Sequence, residues 1–113
     1  MKNVDQLIQE IKMQFIPEGI DKLILFGSYA YGVPTEDSDV DLLVVTAEER
    51  IPENYSEMSV LDIYFNRLID HIRSQAPIDL IVHTRAMHNR FLKKNSLFSR
   101  EIQNRGKVVY ERS

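Results

Sequence analysis

Three short apolar runs decide most of what this chain can fold into: DKLILF at 21–26, VDLLVVT at 40–46 and IDLIVH at 78–83. A run that is β-branched and apolar on both faces, as 40–46 is after Asp41, makes a strand that must be covered on both sides. The covering elements lie between the runs. Val4, Leu7, Ile8, Ile11 and Phe15 follow the spacing of one helical face, so residues 3–15 are predicted as an amphipathic helix that Pro17 and Gly19 end. Leu61, Phe65, Leu68, Ile69 and Ile72 trace a second helix over 58–73. Thr84 is placed to cap a third helix that runs through Lys93 and turns Met87 and Phe91 inward. A fourth helix over 96–105 ends at Gly106 as a C′ residue. Residues 28–32 start a short helix that Gly32 and Pro34 break, 47–56 reads as an exposed charged loop, and Lys107–Glu111 as an edge strand. The expected fold class is α/β (α+β): a small mixed sheet with helices packed on it, in one domain spanning 1–113.

Composition narrows the function. With 43% hydrophobic and 27% charged residues, the 113-residue chain can build one real core and is not disordered. It contains no cysteine, which removes disulfides, thiolate metal sites and cysteine nucleophiles together. No apolar run is long enough to span a bilayer and the N-terminus is amphipathic, so a cytoplasmic location is expected. A net charge of −3 argues against a general nucleic-acid binder. The charge is unevenly spread, however. Residues 36–62 carry nine acids against Arg50 alone, and 85–112 carry eight Lys/Arg against Glu101 and Glu111. Either these are two differently solvated surfaces, or an acidic metal-attracting region stands beside a basic, anion-facing one.

The chemistry concentrates in Leu25-Phe26-Gly27-Ser28 and, ten residues later, Asp39-Val40-Asp41. On a strand, residues i and i+2 share a face, so Asp39 and Asp41 project together. Adjacent carboxylates repel, and a divalent cation relieves the repulsion. All-oxygen ligation selects a hard ion such as Mg²⁺ or Mn²⁺. A solvent-facing strand end explains Asp-x-Asp equally well when it stands alone. Gly27-Ser28, at the exit of a strand into a helix, adds backbone N–H groups that can cradle a phosphate, with glycine allowing close approach. On that reading, Gly27→Val weakens nucleotide binding with little change in stability. The lysine of a P-loop is missing and no dinucleotide fingerprint is present. Asp79, an acid inside an aliphatic strand, is either an exposed edge carboxylate or, if its strand lies beside that of Asp41, the third member of a carboxylate cluster. His71, His83 and His88 lack metal-ligand spacing and read as surface or packing residues. Tyr29 and Tyr31 either stack on a base or cover the sheet.

Phe26-Gly27-Ser28, ten residues, Asp39-Val40-Asp41-Leu42 and a later strand aspartate together resemble the DNA polymerase β-type nucleotidyltransferase superfamily. More narrowly they are similar to the minimal nucleotidyltransferase (MNT) proteins, over nearly the whole chain. The resemblance implies a polymerase β-like nucleotidyltransferase fold, with Gly27 and Ser28 holding the phosphates of an NTP, ATP by preference. It implies that Asp39 and Asp41 ligate two Mg²⁺ ions, with Mn²⁺ an alternative. Asp79 would ligate the catalytic ion and help deprotonate the attacking hydroxyl. Many relatives carry arginine where this chain has Tyr31, which leaves the counter-charge for the triphosphate to another residue, with Arg85 and Arg90 the candidates. Larger relatives add an acceptor-binding domain, for which this sequence leaves no room. The resemblance therefore points to a helical HEPN-type partner, as in HEPT/MNT toxin–antitoxin modules, where the nucleotidyltransferase adenylylates a tyrosine of the ribonuclease toxin. A non-catalytic module that masks its partner and a free-standing enzyme acting on a small molecule are the alternatives, and oligomerisation stays open.

Overall fold

The computed structural model describes residues 3–113. The elements follow in the order α1 (Val4–Phe15), a 3₁₀ turn (Ile16–Glu18), β1 (Lys22–Phe26), α2 (Ser28–Tyr31), β2 (Val40–Val45), α3 (Tyr55–Leu68), β3 (Ile78–His83), α4 (Arg85–Lys94), α5 (Leu97–Arg105) and β4 (Lys107–Glu111). The sheet order is β3-β2-β1-β4. β2 and β3 are parallel, whereas β1 is antiparallel to both of its neighbours. The fold class is thus the expected mixed α+β, with β4 at one edge.

Alternation along each strand sorts the core into two layers. Leu23, Leu25, Leu42, Val44, Leu80 and Val82 turn to the side covered by α1 and α3, where Ile11, Phe15, Phe65 and Ile69 meet them. Ile24, Phe26, Leu43 and Val45 turn to the other side and pack on Ile102 of α5, with Phe91 of α4 against them. Leu42 and Leu43 are both fully buried, as a strand covered on both faces requires. Each such leucine contributes roughly 1.5–3 kcal/mol by leaving water.

Boundaries differ from expectation where side-chain caps decide them. α3 starts three residues early because the Asn54 side chain accepts from the Glu57 N–H at 3.0 Å, an N-cap that starts the helix at Tyr55. It ends at Leu68 because the Arg73 guanidinium takes the Asn66 carbonyl at 3.1 Å and the chain tightens into turns. Ile69 and Ile72 stay buried within those turns. Thr84 caps α4 as expected, and Ser96, expected as the first residue of the last helix, is instead its N-cap, so that α5 starts at Leu97. Gly106 follows α5, but its φ of −66° and ψ of 149° are extended rather than left-handed. Glycine is required there by crowding, since a Cβ would stand 2.5 Å from the Ile102 carbonyl oxygen and 2.9 Å from Cγ2 of Ile24.

In α4 the fully inward residue is His88, and Met87 is only half-buried. The Nδ1 atoms of His88 and His83 lie 3.1 Å apart, so one ring donates and the other accepts. Burial first, then the charges of His83 and Lys22, push His88 down to about 4 from its ordinary 6.5. The unfolded chain therefore takes up a proton below pH 6.5 that the folded chain refuses, and the stability this contributes is lost as pH falls toward 4. We expect the wild type to lose about 2–3 kcal/mol more than a His88→Leu variant between pH 7 and pH 4. Urea unfolding at both pH values reads the difference, and parallel curves for the two proteins would rule the effect out.

Candidate active site

β1 runs into the end of the sheet at which β2 begins, and β3 begins there too. Phe26 pairs with Asp41, and Asp41 with Asp79, so three consecutive strands present their functional residues along one rim. Asp41 shares its face with Leu43, and Asp79 shares its face with Ile81, on the side covered by α4 and α5. Asp39 and Asp79 are exposed and Asp41 is half-buried. Burial, then the negative charges of Asp79 and Asp39, push the Asp41 carboxyl above its ordinary value. Asp41 therefore senses both other carboxylates, although no three His, Cys, Asp or Glu side chains among the described residues converge into a closed metal-binding group. A set composed only of carboxylates, with the buried side of Asp41 facing two further negative charges, fits a hard divalent cation.

Gly27 closes the site from the β1 side. Its φ of 74° and ψ of −158° belong to a region that only glycine enters freely. A Cβ there would collide with Oδ2 of Asp41 and lie 3.1 Å from Cγ. The glycine is thus required by the neighbouring carboxylate as well as by the turn. The Tyr31 N–H donates to the Gly27 carbonyl at 3.1 Å, and the Gly32 N–H to the Ser28 carbonyl at 3.0 Å, which closes the single turn of α2. The Ser28 N–H precedes that ladder, and neither it nor the Ser28 hydroxyl is engaged among the described residues.

The cations fall differently from expectation. Arg85 holds Asp21 with two nitrogens and Glu49 at 2.9 Å. Asp21 precedes β1 and Arg85 follows β3, so this cluster sits at the opposite end of the sheet from the aspartates. The Asp21 carboxyl is held below its ordinary value by that hydrogen bond. Arg85 is therefore committed elsewhere and does not supply the triphosphate counter-charge. Arg90 is exposed beside Ile51, Lys93 and Lys94. The cation near α2 is Arg105, one of the basic residues of 85–112 for which the sequence allows either a solvated surface or an anion-facing one. Its guanidinium carbon lies 4.4 Å from the centre of the Tyr31 ring, and Nη2 reaches the Tyr31 carbonyl at 3.4 Å. The Tyr31 hydroxyl donates to Glu101, one helical turn before Arg105.

A family model of the nucleotidyltransferase domain matches residues 4–109. Two curated relatives from Methanocaldococcus jannaschii, both named as candidate protein adenylyltransferases, are similar in sequence. One is 30% identical over 96% of this chain and 96% of its own length, the other 34% identical over 67% and 69%. Among solved structures, a nucleotidyltransferase-like protein from Sulfolobus solfataricus shares the fold at TM-score 0.56 and 19% identity, covering 96% of this chain and 78% of that one. A chain of a toxin–antitoxin complex with AMP-PNP shares it at TM-score 0.52 and 20% identity, covering 96% and 74%. The match to the family model over nearly the whole chain, with a relative alike over 96% of its length, shows that this chain belongs to the nucleotidyltransferase domain family and is a nucleotidyltransferase.

Proposed function

We propose that this nucleotidyltransferase moves AMP from ATP to a hydroxyl group of a partner polypeptide in the cytoplasm. The observation that supports it most is the register that sets Asp41 against Asp79, with the glycine of the β1 exit packed on Asp41. Gly27 and Ser28 offer backbone N–H groups and a hydroxyl to the phosphates. Arg105, steadied on the Tyr31 ring, offsets their charge from the side where relatives use an arginine. The acceptor oxygen bonds to the α-phosphorus as the bond to the bridging oxygen breaks, pyrophosphate leaves, and the acceptor proton passes to Asp79. Asp39, Asp41 and Asp79 are the residues that would hold Mg²⁺ or Mn²⁺, and such ions, when bound, neutralise charge on the entering and leaving oxygens.

The exposed rim leaves the acceptor to come from outside, which agrees with a similar fold occurring in a toxin–antitoxin complex. By resemblance, the acceptor is a tyrosine of a HEPN-type ribonuclease, and the transfer is the antitoxin act. Co-expression with the product of the adjacent gene, followed by intact-mass analysis of that product, tests this. The expected result is added mass in whole AMP increments. No added mass, with neutralisation that survives loss of the aspartates, would replace this reading with that of a masking module.

The Arg105 role has its own consequence. Arg105→Ala should raise KM for ATP roughly tenfold, the cost of one charge-assisted hydrogen bond, with a smaller change in kcat. Arg105→Lys should recover part of it. Steady-state kinetics with both variants checks this, and an unchanged KM in the alanine variant would leave Arg105 a purely structural partner of Tyr31.

A further inference from the structure

The sheet ends on β3, and its outer edge is open where it matters. The Val40 N–H donates to the Pro77 carbonyl at 2.9 Å and the Thr46 N–H to the His83 carbonyl at 2.8 Å. Residues 77, 79, 81 and 83 therefore point their backbone groups toward β2, and the alternate residues 78, 80 and 82 point theirs outward. The Ile78 carbonyl is taken by Nε of Arg73 at 3.2 Å. The outward N–H and C=O groups of Leu80 and Val82 have no partner among the described residues. A cavity of about 530 Å³ runs along them, walled by Tyr55, Met58 and Ile63 of α3 and by Met87 of α4. Tyr55, Met58 and Ile63 are 83%, 42% and 48% exposed, an apolar wall that nothing among the described residues covers.

An occupant of this groove must meet a row of backbone donors and acceptors at its floor and apolar side chains on its walls. An extended polypeptide does both. A helix has no free backbone groups to pair, and a nucleic acid would bring phosphates against Asp62 in the wall and Asp79 at the end. We propose that the β3 edge receives the acceptor as an added strand: an extended polypeptide segment whose hydroxyl-bearing residue comes to rest beside Asp79. Pairing is confined to Leu80 and Val82 because Arg73 closes the edge at Ile78, so the segment leaves the sheet at the catalytic rim. Strands pair about 4.8 Å apart, and side chains directly across stand about 4.5–5.5 Å apart. A tyrosine or serine next to Asp79 on that side therefore shares its face and its reach. Two donors and two acceptors make a short contact suited to a substrate that must dissociate. The docking rests on backbone geometry alone, and only the fate of the hydroxyl rests on the transferase reading.

The test uses a library of nonapeptides with a fixed central tyrosine, selected on the immobilised full chain without nucleotide. Selected peptides should shift the Leu80 and Val82 amide resonances and bind at least tenfold more weakly to Ile63→Glu. N-methylation of alternate residues should abolish binding in one phase and spare it in the other, because only one set of N–H groups faces the edge. Selected peptides that bind equally in both phases, or that leave those amides unmoved, would overturn the proposal, as would a selection that retains nothing beyond Ile63→Glu. A titration in which the chain pairs β3 with β3 of a second copy, seen as a peptide-independent dimer protecting the same amides, would also overturn it. Adding α-labelled ATP separates the two claims. Peptides that dock in one phase but take no label uphold the edge and sink the transfer, and label that ignores N-methylation does the reverse.

Discussion

Replacing Asp39 and Asp41 together with asparagine abolishes nucleotidyl transfer, by roughly three orders of magnitude or more, while leaving the fold intact. The magnitude follows from the role. Charge stabilisation at the reacting phosphate is worth several kcal/mol, and each 1.36 kcal/mol is about a tenfold rate change. The same substitution should make the metal-free protein more stable at neutral pH. Burial and the charges of Asp79 and Asp39 raise the Asp41 carboxyl above its ordinary 3.8 in the folded state. Between 3.8 and that raised value the folded chain holds a proton that the unfolded chain has released. Stability therefore falls as pH rises through the window, and above it the ionised Asp41 is a standing cost. Asparagine keeps the shape and removes the charge. Manganese titration and denaturant unfolding of wild type and double variant read both effects. Undiminished Mn²⁺ binding by the double variant would show that the ion is held by other groups.

Gly27→Val is the second large effect, and its direction is set by the structure rather than by the phosphate. The sequence alone suggests lost nucleotide affinity with little change in stability. The conformation at Gly27 overturns that expectation. A β-branched residue at φ 74° and ψ −158° is strained wherever its side chain points, at a cost of about 1–3 kcal/mol. Its Cβ also collides with the Asp41 carboxylate, and displacing that group costs a comparable amount. We expect a loss of roughly 3 kcal/mol or more in stability, together with loss of ATP binding. Gly27→Ala combined with Asp41→Ala separates the two causes. The second substitution removes the collision and leaves the backbone strain, so the pair should be less destabilised than the sum of its singles. A Gly27→Val protein as stable as wild type but blind to ATP would return the residue to the phosphate reading.

Much of the molecule is readable from local pattern. The helix of 4–15, the strands at 40–45 and 78–83, and the cap at Thr84 follow from periodicity and from one side chain meeting a nearby N–H. Asn54-x-x-Glu57 carried an N-cap signal of the same kind, and attention to it would have placed the start of α3 correctly. The candidate site is legible to the same degree. Asp39 and Asp41 sit two residues apart and Gly27-Ser28 follows a strand, so each half can be recognised without knowing where the other lies.

What joins the halves is long-range and has no local signature. Strand order and register place Asp79 against Asp41 and Phe26 opposite it, and a shift of one residue would have sent Asp79 to the other face. Only that packing turns Gly27 from a flexible turn residue into one held against a carboxylate. It also ties Arg85 to Asp21 at the far end of the sheet and brings Arg105 over Tyr31. Composition and spacing by themselves determined which chemistry the chain carries, because carboxylates, a glycine turn and apolar runs keep their character in any fold. Which of those groups meet, which cation serves them, and which strand edge is left open were decided by the tertiary structure, because contacts between residues tens of positions apart depend on how the sheet is ordered.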